Sequence, residues 1–295
     1  MPHELRTFND DGVTLSYEVF GKGDRVLVYL HGILLDSFLN HRLAEDLSDA
    51  GYRVILLDLP GHGRSDKPRS VALHRMDAYA RRVVRLLDEL GVEQAAVGGV
   101  SLGADVSLQL ALIAPERLRA MVLEMPVLEQ AVPVALIVFA PVLFATNYAA
   151  PVVRAVLRLA RRIPRARLGV VGTAFGMFEL DPDEIAAVLK GVVVGPVAPT
   201  VAERVSMTTP TLVIGHRSDR LHPLDDAARL AAQLPNARFV EARSILELRF
   251  RPGRLTGEIA QFLDDVWETG HAARIPTEVG ATEEGDAEEG EAAAR

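Results

Sequence analysis

The sequence predicts an α/β fold, a mostly parallel sheet with helices on both faces, interrupted once by an inserted helical cap. Three observations carry this. Over the first 125 residues, short Val- and Leu-rich runs bounded by Gly, Pro and Asp alternate with longer amphipathic stretches. Continuous apolar strands in such a rhythm belong to sheets covered on both faces. The alternation stops between Pro126 and Thr200, then resumes. With 295 residues, 49% of them hydrophobic and 24% charged, the chain has enough apolar material for a large core and is not a disordered chain.

In chain order, the strand candidates are Val13–Phe20, Val26–Leu30, Val54–Leu59, Ala95–Gly98 and Met121–Glu124. Helical patterns fall between them at Phe38–Ala50, Met76–Leu90 and Leu102–Ala114. In the second, Tyr79, Val83, Leu86, Leu87 and Leu90 recur at three- and four-residue spacing and Gly91 supplies the stop. After the insertion come a strand at Thr211–Gly215, a helix at Asp225–Gln233, a strand at Arg238–Val240 and a helix at Arg254–Trp267. The division that follows is a core of residues 1–125 and 201–268, a cap at 126–200, and an acidic, disordered tail at 269–295.

Two features of the cap bear on partners. Gln130 to Val153 is a 24-residue stretch without charge, long enough to pose the question of a membrane span. Pro133, Pro141 and Pro151 divide it, Asn147 and Tyr148 lie inside it, and strands flank it. A buried or substrate-facing helix pair is therefore the expectation, and membrane contact the weaker reading. Arg154, Arg158, Arg161, Arg162 and Arg165 fall on one helical face, which reads first as a solvated face.

The formal charge of −8 is uneven. His271 to Arg295 holds seven acidic and two basic residues, leaving −3 for the first 270. A nearly neutral body gives no footprint for nucleic acid. The opening MPHELRTFNDDG lacks a basic-then-apolar signal pattern, and with no cysteine the expected compartment is the cytoplasm. Absence of cysteine also excludes thiolate metal sites and thiol nucleophiles, so a nucleophile must be oxygen or nitrogen. No metal or organic cofactor is expected.

Gly99-Val100-Ser101-Leu102-Gly103 reads G-x-S-x-G where an apolar strand meets a helix. A serine there is forced into a strained turn that only small neighbours two before and two after permit, and its hydroxyl stands above the sheet. The Leu102 amide, opening the helix, would face a developing oxyanion, joined by that of Ile33 after His31-Gly32. His31 reads as a buried structural histidine, and His62, in the loop after Asp58, as a loop organiser.

With these residues in view, the chain resembles the α/β-hydrolase superfamily, in particular its cap-containing esterases, lactonases, carbon–carbon hydrolases and cofactor-free haloperoxidases. The matching stretches are LHG (30–32), DLPGHGRSDKP (58–68), GGVSLG (98–103) and TLVIGHRSDRLHP (211–223), in the family's order. The resemblance implies Ser101 as nucleophile and Asp219 as the carboxylate of a triad. A serine at the elbow points away from dehalogenases and epoxide hydrolases.

The family's histidine follows the last strand, and here that loop, Glu241 to Pro252, holds none; Ile245 takes the expected position. Of the residues after Asp219, only His222 and His271 are histidines. His222, three residues after Asp219, is the best substitute base, with a helix-capping role as the alternative; His216 and His41 come next. Two functions follow. One is hydrolysis of an ester-like or related carbonyl bond in a small apolar substrate. The other is a catalytically degenerate protein that binds an apolar ligand or protein partner.

Overall fold

The computed structural model describes residues 3–162, 176–217, 219–245 and 247–269. Arg165, His271 and the acidic segment 270–295 lie outside the described residues.

Eight strands form one sheet in the order β1-β2-β4-β3-β5-β6-β7-β8. They are β1 (Glu4–Asp10), β2 (Val13–Phe20), β3 (Val26–Leu30), β4 (Arg53–Asp58), β5 (Ala95–Val100), β6 (Leu118–Glu124), β7 (Thr211–His216) and β8 (Ala237–Ala242). From β4 to β8 every pairing is parallel, while β1 and β2 are antiparallel additions at one edge. The central strands β3 and β5 are buried at every position, which is why they read as unbroken apolar runs.

β1 is the element the sequence did not announce. Only Phe8 of its seven residues is buried, so it has no apolar periodicity to detect. What creates it is the turn: Asp11 and Gly12 both take positive φ, 49° and 83°, the geometry that joins two antiparallel strands in a two-residue hairpin.

Helices α1 (His41–Asp49) and α10 (Gly253–Thr269) cover one face of the sheet, and α2 (Met76–Glu89), α3 (Leu102–Ile113) and α8 (Leu224–Gln233) the other. α3 is buried almost throughout, Leu102 to Ala111, because it runs between β5 and the α2 layer. A short helix, α9 (Glu247–Phe250), precedes α10.

Between β6 and β7 the chain leaves the sheet for α4 (Ala131–Tyr148), α5 (Ala150–Ala160), α6 (Pro182–Val193) and α7 (Val201–Arg204). α6 and α7 each begin with a capping box, Asp181 with Glu184 and Thr200 with Glu203, so their first amides are satisfied locally. α4 begins differently: the carboxylate of Asp226, buried on α8, accepts from the amides of Gln130 and Ala131 at 3.0 and 2.9 Å. That contact ties the insertion to the core.

α4 meets the expectation of a buried or substrate-facing helix on one side only. One side does pack, with Phe139, Val142 and Leu143 against a cluster that includes Leu34, Leu157, Ile185 and Leu189. The other side is open, and only Ala131 and Thr146 are fully buried.

Candidate active site

Ser101 sits at the end of β5 with φ 53° and ψ −112°, a conformation that costs a non-glycine residue about 1–3 kcal/mol and persists only where packing imposes it. The packing is explicit at the two flanking glycines. A Cβ on Gly99 would meet the Leu30 carbonyl oxygen at 2.7 Å and the Gly103 backbone at 2.8 Å; one on Gly103 would meet the Leu30 Cβ and oxygen at 2.7 Å. The Ser101 amide donates to the Glu124 carbonyl at 2.8 Å, and α3 starts on the Ser101 carbonyl, which accepts from Ala104 and Asp105. The serine is thereby pinned between sheet and helix with its hydroxyl free to point outward.

His222 Nε2 lies 3.0 Å from Ser101 Oγ, and His222 Nδ1 lies 2.9 Å from Asp219 Oδ2. With Nδ1–H directed at the carboxylate, Nε2 is left to accept from the serine hydroxyl. The other Asp219 oxygen accepts from the amides of Leu221 and His222 at 2.8 and 3.1 Å. Burial pushes the Asp219 carboxyl up, but the His222 imidazole and these two amides outweigh it and hold the group below its ordinary range. The loop after β7 therefore brings the Asp219 carboxylate and the His222 imidazole together by folding on itself.

The other histidines are occupied elsewhere. His31 donates from Nδ1 to the Gly32 carbonyl at 2.8 Å and accepts from the Leu59 amide at 3.0 Å. His62 donates to the Pro60 carbonyl, and burial holds its pKa well down. His41 pairs with Glu18 at 2.6 Å. His216 donates to the Ser244 carbonyl and faces Glu124 at 3.0 Å. Ile245, at the position where the sequence reading placed the missing base, is 46% exposed and is not part of the pocket around Ser101.

Ile33 and Leu102 line that pocket beside Ser101. Leu102 opens α3, so its amide has no carbonyl one turn back. The Ile33 amide lies in a turn closed by Leu35 N donating to the Gly32 carbonyl. Ile33 and Leu102 thus flank Ser101 at the pocket wall.

The pocket is an apolar cleft, half open to solvent, beside Ser101. Its walls come largely from α4 and α6, with Val132, Leu136, Phe139, Leu189 and Val193 among them. Besides Ser101 and His222, the only polar side chain lining it among the described residues is Asp105, one turn into α3. Asp105 is fully buried; Oδ1 accepts from the Val127 amide at 3.0 Å and Oδ2 has no partner. Burial raises its pKa well above the usual aspartate value, against the opposing effects of that amide and of Arg204.

Sequence reasoning also missed a buried charged group directly below the elbow. Glu124, at the end of β6, accepts from Arg249 at 2.6 Å and Tyr29 at 3.1 Å and faces His216. Burial raises the Glu124 carboxyl, but Arg249 and His216 overcome this and bring it down to about 2. These four residues lie far apart in sequence, and no local spacing connects them.

The geometry agrees with the comparisons. A family profile described as alpha/beta hydrolase fold matches residues 25–160. The enol-lactonase from Burkholderia xenovorans LB400 superposes with a TM-score of 0.73, covering 88% of this chain and all of that one, at 20% identity. The chain has the α/β-hydrolase fold. Among curated relatives, the chain is 40% identical over 119 residues to the dihydrolipoyllysine-residue acetyltransferase component of the acetoin cleaving system of Cupriavidus necator, over 40% of the chain and 30% of the relative. It is 39% identical over 119 residues to a 2-hydroxy-6-oxononadienedioate/2-hydroxy-6-oxononatrienedioate hydrolase of Burkholderia vietnamiensis, over 39% of the chain and 41% of the relative. The chain thus spans less than half the length of these relatives.

Proposed function

We propose that this α/β hydrolase is a serine-dependent enzyme that cleaves an ester-like carbonyl bond in a small apolar substrate. The observation that carries the reading is the pair of contacts made by His222, 3.0 Å to Ser101 Oγ and 2.9 Å to Asp219 Oδ2. A hydroxyl becomes a useful nucleophile when a positioned base takes its proton, and an imidazole oriented by a carboxylate is such a base.

In the first step, His222 Nε2 accepts the Ser101 proton as Oγ bonds to the substrate carbonyl carbon. The carbonyl oxygen gains the charge and takes hydrogen bonds from the Ile33 and Leu102 amides. The resulting imidazolium is stabilised by Asp219, which stays ionised. Collapse of the tetrahedral centre breaks the bond to the leaving group, which receives the proton from His222. Water, deprotonated by the now neutral His222, then cleaves the acyl bond to Ser101 and regenerates the hydroxyl. The apolar walls suit an uncharged acyl portion.

The test is turnover of short-chain p-nitrophenyl esters together with labelling by a fluorophosphonate. Wild type turns over and is labelled at Ser101, and Ser101→Ala does neither. If wild type and Ser101→Ala are equally inactive and no label reaches Ser101, the hydrolase reading is lost.

A further inference from the structure

The outward side of the insertion has a composition that the ester-cleaving chemistry does not use. On α4, Ile137, Phe144 and Tyr148 are exposed, Ile137 at 75% and Tyr148 at 78%, and the two aromatic rings lie against each other, tilted, with centroids 4.7 Å apart. On α5, Val152, Val156 and Leu159 are exposed at helical spacing. The inward sides of both helices are already committed, Phe139 and Leu143 of α4 and Leu157 of α5 to the cluster beneath. Two apolar stripes on adjacent helices are more than scattered surface residues and mark an interaction face.

Charge indicates what covers it. From Gln130 to Phe178 the sequence contains no Asp or Glu and six arginines, whereas the first 270 residues together carry −3. Arg154 and Arg161 are used within the fold, on Asp181 and on the carbonyls of Phe178, Glu179 and Leu180. Arg158 and Arg162, on the last turn of α5 and just after it, are exposed, and their guanidinium groups make no hydrogen bond or ion pair among the described residues. An apolar stripe with aromatic residues, bordered by the Arg158 and Arg162 guanidinium groups and with no acidic residue from Gln130 to Phe178, matches the acyl boundary and anionic headgroups of a lipid surface. The acidic segment beyond Thr269 could answer the arginines but has almost no large apolar side chain for the stripes.

We propose that the outer face of α4 and α5 docks on an anionic lipid surface, with Ile137, Phe144, Tyr148 and Val156 in the acyl boundary and Arg158 and Arg162 on the headgroups. The mouth of the Ser101 pocket opens at the same helix: Leu136, beside Ile137, and Val193 are both pocket wall and exposed surface. The helix lies on the bilayer and does not cross it, although its 18 residues are long and apolar enough. Crossing would strip Val132 and Phe139 from the pocket wall and break the Asp226 contacts at its start.

The docking does not depend on turnover, so it is tested with the full chain carrying Ser101→Ala, by flotation with phosphatidylcholine vesicles and with vesicles containing phosphatidylglycerol. Binding is expected to the anionic vesicles and to weaken as salt is raised. The double variant Ile137→Asp/Phe144→Asp should bind at least about tenfold more weakly, and Arg158→Glu/Arg162→Glu several-fold more weakly, at unchanged thermal midpoints. Failure to bind anionic vesicles overturns the proposal; if a chain ending at Thr269 then binds, the acidic segment is the occupant. Binding that neither double variant weakens overturns it too. So does a stable dimer in solution that Ile137→Asp/Phe144→Asp converts to monomer, since the face then belongs to a second copy.

Discussion

The Nε2 of His222 meets the Ser101 hydroxyl at 3.0 Å while its other nitrogen meets Asp219, three residues back on the same loop. Carboxylate and imidazole thus come from one turn of backbone, and no described residue after β8 lines the pocket around Ser101.

This arrangement predicts which substitutions silence the proposed ester cleavage. His222→Ala should lower kcat for a p-nitrophenyl ester by about 10²–10⁴, and Asp219→Asn by about 10⁴ through loss of the acceptor that orients Nδ1. Ile245→His should not rescue His222→Ala, because that side chain lies outside the pocket. Rescue by Ile245→His would show that the base belongs after β8.

The tight elbow predicts a steric cost. Gly103→Ala would place a Cβ 2.7 Å from two Leu30 atoms, and overpacking of this kind destabilises by about 1–3 kcal/mol. A urea midpoint equal to that of wild type would mean that β3 and α3 separate more easily than this packing implies.

Asp105 predicts a pH dependence of stability. Its folded pKa is raised, so between the unfolded value and the folded one the native state must keep a proton that the unfolded chain releases. Stability is full below the unfolded pKa and falls as pH rises toward the folded one. Asp105→Asn keeps an acceptor for the Val127 amide and carries no such dependence. The variant should therefore gain on wild type at mildly alkaline pH and lose that advantage near pH 4, as followed by thermal melts across the range. A constant difference at all pH values would contradict a protonated Asp105.

Glu124 predicts the opposite sign. Its carboxyl is lowered from 4.5 to about 2, so its contribution is complete above 4.5 and is lost as pH falls toward 2. Removing its main partner by Arg249→Met leaves a buried charge short of compensation and should cost about 3–5 kcal/mol at neutral pH. Denaturant unfolding of the variant measures this directly, and a loss below 1 kcal/mol would place the pair with weak surface ion pairs.

The parts of the fold that were legible are those where one residue reports on its neighbours. β3 and β5 are apolar because both sides of them are covered, and Gly99-Val100-Ser101-Leu102-Gly103 encodes its own turn. β1 was not legible, since six of its seven residues face water or lie partly exposed and it pairs through a Gly turn. His222 stood out only because histidines are few; whether its ring turned toward Ser101 or capped α8 depended on how the loop closed over Asp219. The Glu124 group and Asp105 were invisible for a related reason. Their character comes from burial and from partners on other elements, and neither is written in the local pattern. The side of α4 that packs was also undetermined, because a helix apolar on every face has no direction.

One contact described for the insertion has mechanical meaning. Asp226, which holds the start of α4, lies four residues after His222, in the first turn of α8. The base that faces Ser101 and the tether of the pocket's outer wall therefore share a single short lever. A displacement of α4 large enough to widen the cleft pulls on that lever, so access to the pocket and the position of its histidine are geared to one another.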